Sequence, residues 1–290
     1  MAKAPDPATR ARLRRFDAAV GAPFGLTADD GQAVDAEARA ALRVTRSEAR
    51  RQANLEAILS MARAELEGKP ADEAVGPGWL DRFMATAGNA HEPAIRVVFA
   101  RLLATETMRP GSVSVRTLAR LGSMDAADLK RFEKFARFII NNFVIRLKDA
   151  FYETHGVEGE DLFYFEESGL IRSGGSNVKH FPTQTEEQFQ THLLYGDRVL
   201  RVTAPDPSKR LVIPCYRLTT PGTEIAEAMR PPVVNEYITQ IVDLLERRGY
   251  SVSHASIIER GDRNTVTKYS RFSEIVSYDR ARASRKRRPR

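Results

Sequence analysis

The chain reads as a mainly α protein, with a helical N-terminal module followed by an α+β module that holds a small antiparallel sheet. Three observations predict this. Apolar residues recur at helical spacing through most of 35–168. Strand-like apolar runs appear only later, at 199–202, 211–218 and 250–258. Gly or Pro marks most of the segment ends between them. At 290 residues there is enough chain for two modules with real cores. The expected division is a poorly ordered arm over 1–34, a helical module over 35–122, the α+β module over 123–278 and a disordered basic tail over 279–290.

The arm is rich in Ala, Pro, Gly and charge, with a short helical stretch around 10–20. A long helix is expected over 35–67, with Leu55, Ile58, Leu59, Ala62 and Leu66 as its apolar stripe and Gly68-Lys69-Pro70 as its stop. Gly76-Pro77-Gly78 introduces another helix whose Trp79 and Phe83, at i and i+4, should pack together. Trp79, the only tryptophan, is therefore read as a core anchor.

The segment 99–118 is the most informative. Ile95, Phe99, Leu102 and Glu106 share one helical stripe, and Val97, Val98, Ala100 and Leu103 make the remaining surface apolar. Such a helix belongs at the centre of a bundle. Pro110-Gly111 suits a tight turn, and Ser112 or Ser114 can cap the next helix, which carries Arg116 and Leu118. A buried carboxylate needs a partner. The expected arrangement is a buried structural Glu106–Arg116 pair that locks the helical corner, with a catalytic acid or base at Glu106 as its rival.

Asp125 and Asp128 are placed to cap a helix with Leu129, Phe132, Ala136, Ile139 and Phe143 on one stripe; 143–145 fits either its continuation or a short strand. Helices over 147–153 and 161–168 follow, with Gly169 as a left-handed cap. The runs 199–202 and 211–218 are expected to form a hairpin about Ala204-Pro205-Asp206-Pro207-Ser208-Lys209. Thr219 or Thr220 caps a helix to about Met229. Asn235 caps another ending at Arg248-Gly249, and 250–258 is a last strand.

The net charge of +7 has one source. Seven of the 45 basic residues (Arg280, Arg282, Arg285, Lys286, Arg287, Arg288 and Arg290) lie where no acidic residue falls, so the other 38 balance the 38 acidic residues. Such a block binds polyanions in a salt-dependent way or stays solvated. Cys215, the one cysteine, excludes an internal disulfide and fits a reducing cytoplasm; its apolar run marks a buried, inert thiol. No run reaches membrane-span length and no apolar leader segment opens the chain, so the reading is cytoplasmic with no membrane partner. His91, His155, His180, His192 and His254 lack metal-ligand spacing, with His180 and His192 flanking an expected short helix. Gly174-Gly175-Ser176 lacks the P-loop lysine, so no cofactor is expected.

Several ordered motifs carry a family resemblance. Arg50-Arg51-Gln52-x-Asn54-Leu55-Glu56-x-Ile58, Trp79-x-x-x-Phe83, Phe99-Ala-x-Leu-Leu-Ala104-x-Glu106 and Pro110-Gly111-Ser112-x-Ser114-x-Arg116-Thr117-Leu118 together resemble the bacterial family called domain of unknown function 2806, over about 35–250. That family often has Trp where this chain has Phe99. The Leu-Leu-Ala-x-Glu core is more remotely similar to abortive-infection alpha proteins, which implies a link to phage defence and supplies no catalytic residues. Further on, Glu167-Ser168-Gly169-Leu170-Ile171 and Leu218-Thr219-x-x-Gly222-x-Glu224-Ile225 look like a winged-helix domain, which implies a winged-helix-like α+β module and DNA binding. The segment that would enter the groove holds Glu158, Glu160, Asp161, Glu166 and Glu167 and no cation, so phosphate repulsion opposes that use. An acidic face suits a protein partner, through Glu160, Asp161, Glu166 and Glu167. The favoured function is a non-enzymatic interaction or regulatory protein in a phage-defence or mobile-element setting. One rival binds nucleic acid through the basic tail with Lys209 and Arg210. The other is an enzyme built around Glu106.

Overall fold

The computed structural model describes residues 6–16, 18–19, 35–68, 74–172, 177–260 and 266–274. Helix α1 (Pro7–Phe16) buries none of its residues. Helix α2 (Ala36–Leu66) starts at Asp35, whose carboxylate accepts the Glu37 N–H, and buries only Asn54, Ile58 and Ala62. Its buried line thus runs through Asn54 rather than Leu59, which is exposed. Helices α3 (Pro77–Ala87), α4 (Pro93–Met108), α5 (Val115–Gly122) and α6 (Ala126–Ala136) follow. As its all-round apolarity requires, α4 is the central helix: α2, α5, α6 and a later helix over Thr220–Met229 all pack on it. Trp79 stacks on Phe83 at 5.2 Å, and Phe83 meets Phe99 edge-on at 5.9 Å. The Trp79 indole donates to the Val113 carbonyl at 2.9 Å, so the anchor also fixes the turn after α4.

Asp125 and Asp128 form a capping box at α6. The helix stops at Ala136, and the chain turns through Asn141, at φ +53°, into strand β1 (Phe143–Ile145). Helices α7 (Asp149–Glu153) and α8 (Gly159–Glu167) lead through Gly169, at φ +66°, to β2 (Ile171–Arg172). Then come β3 (Val178–Phe181), β4 (Phe189–Tyr195), β5 (Arg198–Ala204), β6 (Leu211–Leu218), α9 (Thr220–Met229), α10 (Asn235–Glu246), β7 (Ser251–Arg260), β8 (Val266–Tyr269) and β9 (Ser273–Glu274). Thr219 caps α9 by accepting the Gly222 N–H at 3.1 Å. Val234, not Asn235, is the cap position of α10.

The strands overturn the mainly α expectation and the winged-helix-like module with it. They build two antiparallel sheets, so the protein is α+β. In the first sheet β6 pairs with β1, β2 and β3; in the second the order is β4-β5-β7-β8, with β9 also on β7. The expected β5–β6 hairpin does not form, because the two strands belong to different sheets. Asp206 turns the chain between them, its carboxylate accepting the Ser208 N–H at 2.8 Å. The stretch between the two winged-helix-like motifs holds β3, β4 and β5, split between both sheets, and leaves no helix between His180 and His192.

One hydrophobic core runs from Ile58 to Val252. At its centre Phe138, Tyr152, Tyr195 and Tyr237 meet largely edge-to-face. Every buried hydroxyl there has a backbone partner. Tyr195 donates to Arg137 O at 2.6 Å, Tyr237 accepts from the Ile145 N–H at 2.9 Å, and Tyr152 donates to Ile145 O. Gly222 allows α9 to approach β2: a Cβ there would lie 2.0 Å from the Leu170 carbonyl oxygen.

Candidate functional site

Glu106 lies on the buried stripe of α4, only 2% exposed, one turn short of the Pro110-Gly111 turn. That turn closes back over the helix end, aided by Gly111 at φ +80°, and so aims two backbone N–H groups at the carboxylate. Gly111 N donates to Oε1 at 2.7 Å and Val113 N to Oε2 at 2.8 Å. Among the described residues no ion pair joins Glu106 to Arg116, which is exposed. The expected pair is therefore replaced by a backbone cradle. The physical reason is reach: charge-assisted N–H bonds from Gly111 and Val113, just beyond the helix end at Met108, satisfy both oxygens without ordering a long cation.

A second carboxylate, which the sequence offered only as part of the winged-helix-like motif, completes this corner. Glu224 on α9 accepts the Ser114 N–H at 2.8 Å and the Thr117 hydroxyl at 2.5 Å. Ser114 itself caps α5 by accepting the Arg116 N–H at 3.2 Å. Burial raises the Glu224 carboxyl above the usual range; the Thr117 and Ser114 hydrogen bonds oppose that, and the Glu106 charge adds to it. The cluster thus couples α4, α5 and α9 through polar contacts that are all internal. Its geometry describes a structural joint. The helical pattern at 220–229 could have revealed Glu224, because it sits beside buried Ile225 on a short, otherwise uncharged helix start.

A second joint ties α2 to the same helices. Glu65 accepts Arg101 Nε at 3.0 Å and the Arg230 guanidinium at 2.8 and 3.2 Å, while Arg101 donates to the Ala228 and Met229 carbonyls at 2.9 and 3.1 Å. Burial would raise the Glu65 carboxyl, but bonds from Arg230 and Arg101 outweigh it and hold it below the usual range. The buried Asn54 of the Arg-Arg-Gln-x-Asn motif bridges Gly88 O at 2.9 Å and the Arg96 guanidinium at 2.9 Å.

The acidic candidates separate into two roles. Asp161 is buried and binds Arg131, and it closes the α8 capping box. Arg131 also lies 3.6 Å from Glu160 and over the Tyr164 ring, whose hydroxyl donates to Asp128. Glu160, Glu166 and Glu167 are exposed on α8. Between them projects Phe163, 75% exposed, the most exposed of the large apolar residues described. Glu160, Phe163 and Glu167, spaced three and four apart, form one outward stripe. Glu153 and Glu158 lie beside Glu160 in a shallow cleft. Sequence reasoning found the acids and missed the phenylalanine because Phe165, two residues on, is the buried one.

The basic candidates also divide. Lys209 is occupied: its Nζ donates to Arg248 O and Gly249 O, both at 2.8 Å, and lies 4.1 Å over the Tyr250 ring, closing the C-terminal end of α10. Arg210 beside it is exposed. Arg280, Arg282, Arg285, Lys286, Arg287, Arg288 and Arg290 lie outside the described residues, as does Gly174-Gly175-Ser176. Cys215 is fully buried on β6, and burial pushes its thiol up. Among the described residues no group of His, Cys, Asp or Glu could hold a metal ion, and no helix is long and apolar enough to cross a membrane.

The chain matches no curated protein and no solved structure. The motif-bearing region does have relatives, over a shorter span than the 35–250 its motifs implied. Residues 38–148, from α2 to just beyond β1, match the family described as protein of unknown function (DUF2806).

Proposed function

We propose that this is a protein-interaction protein of the cytoplasm whose docking element is the outward stripe of α8. The observation that carries the reading is Phe163, 75% exposed within a stripe of carboxylates. An aromatic this exposed contributes little to the fold, yet it is well suited to fill a pocket on a partner. Glu160, Glu166 and Glu167 would surround that pocket with negative charge, so the complementary surface is an apolar pocket with a basic rim. The carboxylates at Glu106 and Glu224 are used internally by α4, α5 and α9, which favours a structural role over catalysis there. The resemblance of Leu102-Leu103-Ala104-x-Glu106 to abortive-infection alpha proteins makes phage defence the preferred setting.

Cross-linking pull-down from the host, with the wild-type chain and a Phe163→Ser variant, tests this. A partner retained by the wild type and lost by the variant is expected, with unchanged urea denaturation of the two proteins. Identical partner sets would refute the assignment.

A further inference from the structure

Helices α1 and α8 present opposite chemistries to solvent. Helix α1 buries none of its ten residues, and it holds Arg10, Arg12, Arg14 and Arg15 with no acidic residue. Leu13 and Phe16, one turn apart on it, are exposed by 50% and 58%. Arg12, Arg14 and Arg15 make no ion pair among the described residues. A helix with an apolar pair and cations around it, packed on nothing, has a face to cover.

The α8 stripe is its counterpart. All four charged residues of α8 are acidic, and Phe163 stands out between Glu160 and Glu167, with Glu153 at the cleft beside Glu160. Glu160 lies 3.6 Å from Arg131, whereas Glu153 and Glu167 are exposed and make no ion pair among the described residues. Phe16 and Phe163 are the two exposed phenylalanines among the described residues. One belongs to a helix charged only with cations, the other to a helix charged only with carboxylates.

We propose that the α8 stripe is occupied by α1 of a second copy of this chain, which rests on the reading of α8 as a docking element and names what docks there. Pairing like with like is repelled: α1 on α1 brings arginines together, and α8 on α8 brings carboxylates together. In the mixed pair Leu13 and Phe16 cover Phe163, while Arg12, Arg14 and Arg15 meet Glu153, Glu160 and Glu167. Within one chain both faces lie open to solvent, so the contact is made between chains. Two-fold symmetry makes it twice, α1 of each copy on α8 of the other. The doubling matters, because a ten-residue helix is only about 15 Å long and one such contact falls short of a standard interface. The resulting dimer is weak and loosens as salt rises. A nucleic acid or an acidic lipid surface would also attract α1, but it would leave Phe163 without a role.

Sedimentation velocity of the full chain tests it, over roughly 1–100 μM and at two salt concentrations. The mass should rise from monomer to dimer with concentration, less so at high salt. Phe163→Ser and Phe16→Ser should each weaken association about tenfold or more. Two charge-reversed chains, Arg12→Glu with Arg15→Glu and Glu153→Arg with Glu167→Arg, should each be monomeric alone. Mixed, they should form a heterodimer, because reversed α1 then meets reversed α8 and the two unchanged helices meet each other. All these residues are exposed, so the variants retain the core; their urea unfolding curves at low concentration check this. A wild type that stays monomeric, association indifferent to Phe16→Ser or Phe163→Ser, or a mixture that stays monomeric would each overturn the proposal. A monomeric wild type whose pull-down partner still depends on Phe163 would remove this occupant alone and leave the docking stripe. A pull-down indifferent to Phe163, with dimers that need Phe16 and Phe163, would instead support the second copy as what the stripe binds.

Discussion

Glu106→Gln removes one acceptor from a site that uses both. In the wild type each carboxylate oxygen takes one backbone N–H, at 2.7 and 2.8 Å, within a region from which water is nearly excluded. The amide keeps one oxygen but turns an NH2 toward the other donor, so one N–H is left buried without an acceptor. A hydrogen bond to a charged group contributes about 1.5–3 kcal/mol, and the orphaned donor adds a desolvation cost of similar size. The retained bond also loses its charge assistance. A destabilisation of about 3 kcal/mol follows, measured as the change in unfolding free energy in urea. Arg116→Ala is the informative control. If the backbone cradle is correct, removing this exposed side chain should change stability by less than about 0.5 kcal/mol. A Glu106→Gln cost below about 1 kcal/mol, or an Arg116→Ala cost matching it, would refute the reasoning and restore the ion pair.

The Glu224 carboxyl is raised by burial, so the folded state holds its proton more tightly than the unfolded state, and stability falls as pH rises from about 4.5 through the folded value. Glu224→Gln should therefore flatten that slope and be at least as stable as wild type at pH 7, the difference vanishing or reversing in acid; urea midpoints across pH 4–8 measure this. Gly222→Ala sets a Cβ 2.0 Å from a backbone oxygen and should cost about 3 kcal/mol or prevent folding, read by urea denaturation or soluble yield. Lys209→Ala frees the end of α10 and should lower stability by about 1 kcal/mol.

The helices were legible because their signals are local. The stripe Ile95, Phe99, Leu102 and Glu106, the cap at Asp125 and the stop at Gly68 each act within a few residues; α2 and α4 fall where those signals put them, and α6 starts at its cap but stops at Ala136, short of the expected stripe residues Ile139 and Phe143. Strand pairing is not local. The run 211–218 looks the same whether it pairs with β5 or with β1, β2 and β3, and only the distant partners decide. Strand β4 was legible in principle: Phe189, Thr191, Leu193 and Tyr195 alternate with Gln190, His192 and Leu194, all seven β-compatible. A search for helical spacing passes over a period of two.

The same distinction explains why Glu106 was found and its partners were not. That a carboxylate on a buried stripe needs compensation follows from one helix alone. Which group compensates depends on where the next turn goes. Sequence reasoning favours a cation, the obvious charge partner, although a turn built on Pro110-Gly111 presents backbone N–H groups at closer range and without side-chain entropy. Glu224 then uses the following residues, Ser114 and Thr117, so that two negative groups are held by one short connection. Neither carboxylate is replaceable by an apolar residue without orphaning backbone donors at Gly111, Val113 or Ser114. The Pro-Gly-Ser-x-Ser-x-Arg-Thr-Leu pattern is thus a connection shaped to neutralise Glu106, and Arg116 keeps its place in it as an exposed helix residue outside the buried pair.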